Sequence, residues 1–396
     1  MKRALLLVLI SLLGAAPARA QSLFGARGLG LPVTPVDARA RALGGIGVGL
    51  PGLNTSMVNP AELGGITRKG ISVVLQPSTT DITVGGNTDN VSGTRFPLMQ
   101  AMLPLSQRLV VSFGYGASYD QFWAIELADT VAIGSSQVPV NDVVRSDGGV
   151  GQARLSAALE LSDRFAIGAA VGLHTGSLER SVTRTFGDST QYNPFQTQIR
   201  WDYSGVVGAV GARWDPDPAL RLAASATFGG DIEAEGKAGD AIDRTFAAPL
   251  RVAFGASGFL GRELIASVGG EWTRGDDQSP PAQDDVLPLA GADQAWRFGG
   301  GLEWTGSPTA ARAFPLRIGG SYADLPYHLD VEEAAREWSV SGGLGLRMSD
   351  NAREPFALAD IAVERGGRSG LGTTVADSGI EESFWRVTIS LSLFGR

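Results

Sequence analysis

The 396-residue sequence predicts an all-β fold: a transmembrane antiparallel β-barrel of the outer-membrane type, about fourteen strands, with an N-terminal hatch. Three observations predict it. Stretches of two-residue alternation recur from about residue 70 to the end. Their connections alternate between short and long. The chain also opens on an export signal and has no later apolar run long enough for a spanning helix.

Residues 1–20 read as a secretory leader. Lys2 and Arg3 form the charged start, Ala4 to Ala16 the apolar stretch, and Ala18-Arg19-Ala20 the cleavage site, so the mature chain is expected to start at Gln21. No Cys follows, which excludes a lipoprotein anchor, a disulfide framework and thiolate chemistry. The formal charge of −8 becomes −11 once Lys2, Arg3 and Arg19 are removed, and this excludes a basic nucleic-acid footprint. With 54 glycines and only 19% charged residues, the composition departs from that of a soluble domain and suits a wall that sits in lipid.

Residues 21–69 are rich in Gly, Ala and Pro, show no period of two and are too few for a core of their own. They must pack in or under something larger, which gives a hatch over 21–69 and a barrel over 70–396. Fourteen strands are expected near 70–77, 94–103, 108–119, 149–161, 164–180, 197–214, 219–235, 245–259, 262–275, 293–305, 314–325, 336–348, 354–368 and 382–394. In the last, Trp385, Val387, Ile389, Leu391 and Leu393 share a face, opposite Arg386, Thr388, Ser390 and Ser392. Long loops are expected around 78–93, 120–148, 181–196, 276–292, 326–335 and 369–381, with tight turns between them. That order puts both termini in the periplasm. Trp201, Trp214, Trp272, Trp304, Trp338 and Trp385 fall near strand ends, as interfacial girdles do. Phe394 is out of phase with the apolar face, and Leu393 is the alternative terminal anchor.

Candidate chemistry is sparse. Gly45-Ile46-Gly47-Val48-Gly49 has neither the leading strand nor the Lys-Ser/Thr of a phosphate loop and reads as plug backbone. His174 points to the lumen and His328 sits in a long loop, with no nucleophile motif near either, so no catalytic residue is expected. Asp276-Asp277, Asp284-Asp285 and Glu332-Glu333 either bridge cations at the cell surface or stay solvated; no metal site or cofactor is expected. Arg154, Arg221, Arg251, Arg317 and Arg347 form a lumen ladder. It would set charge selectivity in an open porin, or hold a plug through groups such as Asp37 and Glu62. Phe122, Trp123, Ile125 and Leu127 make the 120–148 loop apolar, either as a ligand groove or as packing on the barrel itself.

The stretch Ala38 to Val48, followed by Val58-Asn59-Pro60-Ala61-Glu62-Leu63, resembles the start of FadL-type outer-membrane channels and of the related PorV-like barrels. Pro315 to Tyr322 and Trp338 to Leu346 are similar to the late hairpins of these barrels. The resemblance implies a hatch that shifts to let hydrophobic molecules such as long-chain fatty acids diffuse through. Asn59, Pro60 and Ala61 would belong to that hatch as a capped turn, with or without ligand contact. The partners implied are outer-membrane lipid, a hydrophobic small molecule, and the barrel-assembly machinery during biogenesis. The alternative is a PorV-like scaffold that docks secreted or surface proteins; an open polar porin and an enzyme trail behind.

Overall fold

The structure, a computed structural model, describes residues 22–26, 28–84, 86–187, 191–274, 290–291, 294–306, 312–328, 334–349, 355–370 and 379–395. The leader, the cleavage site, the three acidic pairs and the His328 side chain lie outside these residues.

Fourteen strands form the wall: β1 (Gly70–Val84), β2 (Asn87–Pro104), β3 (Leu109–Asp120), β4 (Ser136–Ser162), β5 (Phe165–Phe186), β6 (Phe195–Asp217), β7 (Leu220–Ala238), β8 (Leu250–Phe259), β9 (Leu264–Arg274), β10 (Gln294–Trp304), β11 (Leu316–His328), β12 (Ala334–Ser349), β13 (Pro355–Gly370) and β14 (Ile380–Phe394). Each runs antiparallel to the next, and β14 returns to β1 from Ile380–Val84 to Phe394–Gly70, which closes the ring. Closure gives every wall strand two neighbours, as lipid requires of a backbone that cannot bond to water.

The alternation sets the two faces. On β14 the residues from Ile380 to Phe394 alternate between buried even and more exposed odd positions, so Arg386, Thr388, Ser390 and Ser392 face the lumen. Outside, Phe113, Leu155, Phe228, Val340 and Trp385 are exposed to the bilayer. Trp214 and Trp304 mark the short-turn end of the wall, and Trp338 and Trp385 the long-connection end. Trp201, expected in the girdle, instead faces inward. It is buried with Leu29, Tyr119 and Tyr203, and its indole N–H donates to the Ile242 carbonyl at 2.9 Å. Phe394 also turns inward, packing with Leu63, Ile66 and Met102, which accounts for its phase and leaves Leu393 facing outward.

Two expected loops are strands. Residues 78–93 continue β1 and β2 as far as the Val84–Asn87 pair, and residues 120–148 hold Trp123–Ile133, paired along its length with 136–146. These extensions rise past the lipid, so their outer faces carry Thr79, Asn90 and Ala128 rather than an apolar row, and the sequence signal fades.

Residues 22–69 run inside the barrel. They begin at the long-connection end, where Leu23 and Phe24 pack with Ile82, Trp123, Val144, Leu325 and Ile380. The first described residue therefore lies at the end opposite Phe394, whereas the strand order was expected to put both termini together. Strand parity fixes only the ends of the wall; a preceding segment threaded through the lumen is not bound by it. A short helix, Ala38–Ala42, lies against β11 to β14, capped by Asp37, whose Oδ1 accepts the Ala40 N–H at 2.8 Å. The segment then crosses to β8 and ends near Leu63 and Ile66 beside the start of β1.

Glycines on the inner wall let this backbone lie directly on the strands. Gly44, at φ 82°, meets Gly299 and Gly319, and Gly49 meets Gly255. A Cβ at Gly299 would overlap the Gly44 carbonyl, while at neighbouring Gly300 it would find its nearest atom, the Ser267 carbonyl oxygen, at 3.4 Å. Gly299→Val is therefore expected to leave an inserted, heat-modifiable barrel whose residues 22–69 become protease-sensitive, whereas Gly300→Val keeps them protected. Equal protection in the two variants would mean that the wall glycines do not seat the segment.

Candidate functional site

Two features of the lumen bear on function: the set of contacts that holds the inner segment, and an interruption of the wall that this segment covers.

The lumen ladder divides by role. Arg154 donates to the Met57 carbonyl at 2.9 Å and Arg221 to the Leu50 carbonyl at 3.1 Å, both in the inner segment. Arg221 is itself oriented by Asp215 at 2.7 and 2.9 Å. Arg317 donates to Glu303 and to Asp360, the latter at 2.6 Å. Arg251 lies over the Tyr119 ring at 4.9 Å. Arg347 lines a cavity of about 490 Å³ at the short-turn end, together with Arg39, Arg213, Arg262, Glu303 and Asp360.

The hydrogen-bond partners of the ladder differ from those expected, although the Arg221 charge acts on Glu62. Asp37 caps the helix and accepts from the Thr55 hydroxyl at 2.9 Å, and Glu62 accepts from the Gly49 N–H at 2.7 Å and from the Asn54 amide at 3.2 Å. Both carboxylates brace the segment internally. The carboxylates that bind the segment come from the wall instead. Glu303 takes both arms of the Arg39 guanidinium at 2.8 Å, and Glu382 accepts from the Ser22 hydroxyl at 2.8 Å and the Leu23 N–H at 2.7 Å. Arg368 holds Glu382 at 2.9 Å and Glu337 at 2.6 Å. Bidentate, buried guanidinium–carboxylate pairs combine charge with fixed geometry. In sequence Glu303 and Glu382 look like any other strand carboxylates; only their inward register marks them.

Asn59, Pro60 and Ala61 sit at the far end of the segment. The Asn59 side chain accepts from the Ala61 N–H at 2.9 Å and donates to the Ala212 carbonyl at 3.2 Å, capping the turn Pro60–Leu63 against β5 and β6. Phe122, Trp123, Ile125 and Leu127 do not form one surface. Trp123 is buried against Leu23 and Phe24, Ile125 packs partly on that cluster, and Leu127 is exposed. His174 is buried on the lumen face of β5.

The wall is interrupted between β2 and β3. Their ladder runs from Pro104–Val110 up to Leu98–Gly116 and stops. Above it, β2 pairs only with β1, and two adjacent residues, Pro97 and Leu98, are both buried, so the alternation breaks there. Pro97 has no N–H to offer a ladder. On the other side, the edge of β3 is taken by the inner segment: Leu31 and Pro32 pair with Asp120 and Tyr119, and the Val33 N–H donates to the Ser118 carbonyl at 2.9 Å. The gap is bridged by Arg95 of β2, whose guanidinium donates to Asp120 of β3 at 3.2 Å and to Gln76 of β1 at 2.6 Å. A lateral seam in the wall is thus backed by the N-terminal segment and tied by one ion pair. No sequence pattern announced it, although Pro97 within a strand is a local hint.

Glu303→Gln leaves the Arg39 and Arg317 guanidinium groups without their shared charge, at a cost of about 3 kcal/mol or more. Its thermal unfolding should shift down, with early proteolysis within residues 22–69; an unchanged transition would show that the ladder does not hold the segment.

A family model described as BamG matches residues 1–243. No curated protein matches the chain. Among solved structures, a Pseudomonas aeruginosa FadL homologue is 12% identical with a TM-score of 0.59, the match covering 92% of this chain and 99% of that one. The Ralstonia pickettii toluene transporter TbuX is 17% identical with a TM-score of 0.56, covering 92% and 99%. The CymD monoaromatic hydrocarbon channel is 14% identical at 0.57, covering 91% and 98%. At these identities the likeness is one of fold: an outer-membrane-type barrel similar to those channels. The sequence resemblance pointed to the FadL type, but the family model spans more than half of the chain, and the chain belongs to the BamG family.

Proposed function

We propose that this protein is a channel of the bacterial outer membrane that lets apolar or amphipathic small molecules, such as long-chain fatty acids, pass down their gradient. Residues 21–69 act as its hatch. The seam between β2 and β3 carries this reading, because an opening in the wall at that level lets an apolar molecule move between lumen and lipid without crossing water. Each methylene that stays out of water on this route contributes about 0.8 kcal/mol, which is ample for a long acyl chain without any ion pair. Movement of residues 25–33 away from Asp120 would join lumen and seam. The buried cluster of Trp123 with Leu23 and Phe24, flanked by Ile125 and with Leu127 exposed beyond it, is the proposed apolar approach above the seam. Residues 1–20 direct export through the Sec pathway, the C-terminal strand ends in the periplasm, and the barrel-assembly machinery inserts the chain.

A second reading has its own support. The family name BamG points to the barrel-assembly machinery, and the pairs at Glu303 and Glu382 brace the inner segment strongly for a moving hatch. On this reading the barrel is a scaffold that docks other proteins.

The chain contains no Cys, so a single engineered disulfide is clean. Pro32→Cys with Tyr119→Cys joins directly paired positions of segment and wall. In proteoliposomes the channel reading predicts uptake of a labelled long-chain fatty acid that stops on oxidation and returns on reduction. No uptake by the wild type, with the barrel copurifying with assembly-machinery subunits, would favour the scaffold.

A further inference from the structure

The strand Trp123–Ile133 is a sheet edge. It pairs residue by residue with 136–146, from Trp123–Ser146 to Ile133–Ser136, and among the described residues nothing pairs with its other side. The two-residue turn at Gly134-Ser135 makes Ile133–Ser136 a hydrogen-bonded pair, with Gly134 supplying the positive φ of 62°. Alternation then directs the backbone groups of the odd residues toward β4. Those of Ala124, Glu126, Ala128, Thr130 and Ala132 point to the open side, although the Thr130 N–H is already taken by the Asp129 carboxylate at 2.7 Å. Across the seam, residues 87–97 of β2 present a second edge, paired only with β1.

Soluble and membrane proteins blunt exposed edges with Lys, Pro, bulges or a covering element. This edge has neither Lys nor Pro. Four of the five side chains on its even face are small (Ala124, Ala128, Thr130, Ala132), and the fifth is Glu126. The hairpin is braced from behind, where Arg184 of β5 holds the Asp142 carboxylate at 2.6 Å and keeps that carboxyl below its ordinary range. The same edge already accepts a strand lower down, where Leu31 and Pro32 lie antiparallel to Asp120 and Tyr119. Glu126, which accepts from the Asn141 amide, and Asp129, which accepts from the Thr130 N–H, both sit on exposed positions and give it an acidic character. Antiparallel pairing of two copies about Ala128 would bring their Asp129 carboxylates into diagonal proximity, which disfavours a second copy as the occupant.

We propose that Trp123–Ile133 is a docking edge for an extended strand of a partner protein, with alternating polarity and basic residues, added antiparallel above the cis-paired Leu31–Pro32. Main-chain bonds from the even residues supply the affinity, and the acidic side chains select basic partners. This inference does not depend on the channel reading, since an edge can recruit a partner whether or not the barrel conducts.

The test uses the full chain in nanodiscs and a synthetic peptide alternating Thr and Val with a lysine at each end. Ala128→Pro and Ala132→Pro each remove one open-side N–H while leaving the ladder to β4 intact. Saturable binding is expected, with amide-exchange protection over 123–133. Either proline should weaken it about tenfold or more, and Asp129→Asn should weaken it and flatten its salt dependence. Equal binding by both proline variants, no binding by the wild type, or protection outside 123–133 would overturn the proposal. A concentration-dependent wild-type dimer abolished by the prolines would assign the edge to a second copy and overturn it as well.

Discussion

The absence of water in the bilayer governs this molecule. Every wall strand must give its N–H and C=O groups to a neighbour, and the sheet must close from β14 back to β1. Closure by fourteen strands leaves an interior that wall side chains alone do not fill, and the inner segment occupies it. The inner-wall glycines and the wall carboxylates both serve that packing. Gly299 and Gly319 remove side chains where the Gly44 backbone rests, and Glu303 and Glu382 meet the segment's guanidinium and N–H groups. The high glycine content is thus a property of two backbones in contact as much as of a barrel in lipid.

Against that rule the β2–β3 seam stands out. The ladder stops at Leu98, and the wall's continuity above it depends on Arg95 reaching Asp120 and on a segment that belongs to the plug rather than to the wall. A segment that both fills the lumen and backs a gap couples the two, so in the proposed channel one displacement would open the interior and expose the seam together. Burial raises the stakes of the contacts holding it, because a guanidinium deprived of its carboxylate in a water-poor interior is costly.

What the sequence revealed followed the period of two. Strands bathed in lipid, such as β14, combine an apolar row with a polar row and were legible nearly to their ends. Where β1, β2 and the 123–146 hairpin rise clear of lipid, neither face needs to be apolar, and Thr83, Asn90 and Thr130 read as loop. The ladder arginines were legible from their lumen phase, but not their partners, because pairing Arg39 with Glu303 joins positions 264 residues apart through a fold that periodicity does not specify. Asn59 and Pro60 stood out because a capped turn is written locally. The seam was silent, since a strand pair that parts halfway leaves no periodic trace.

The most direct measurement of the central claim is photolabelling in native outer membranes with a long-chain fatty acid carrying a diazirine near its methyl end, followed by peptide mapping. Labels concentrated on residues 92–97 of β2 and on 117–123 at and past the end of β3, and lost when the inner segment is cross-linked to the wall, are what a lateral route predicts. Labels spread evenly around the apolar belt, unaffected by the cross-link, would contradict it.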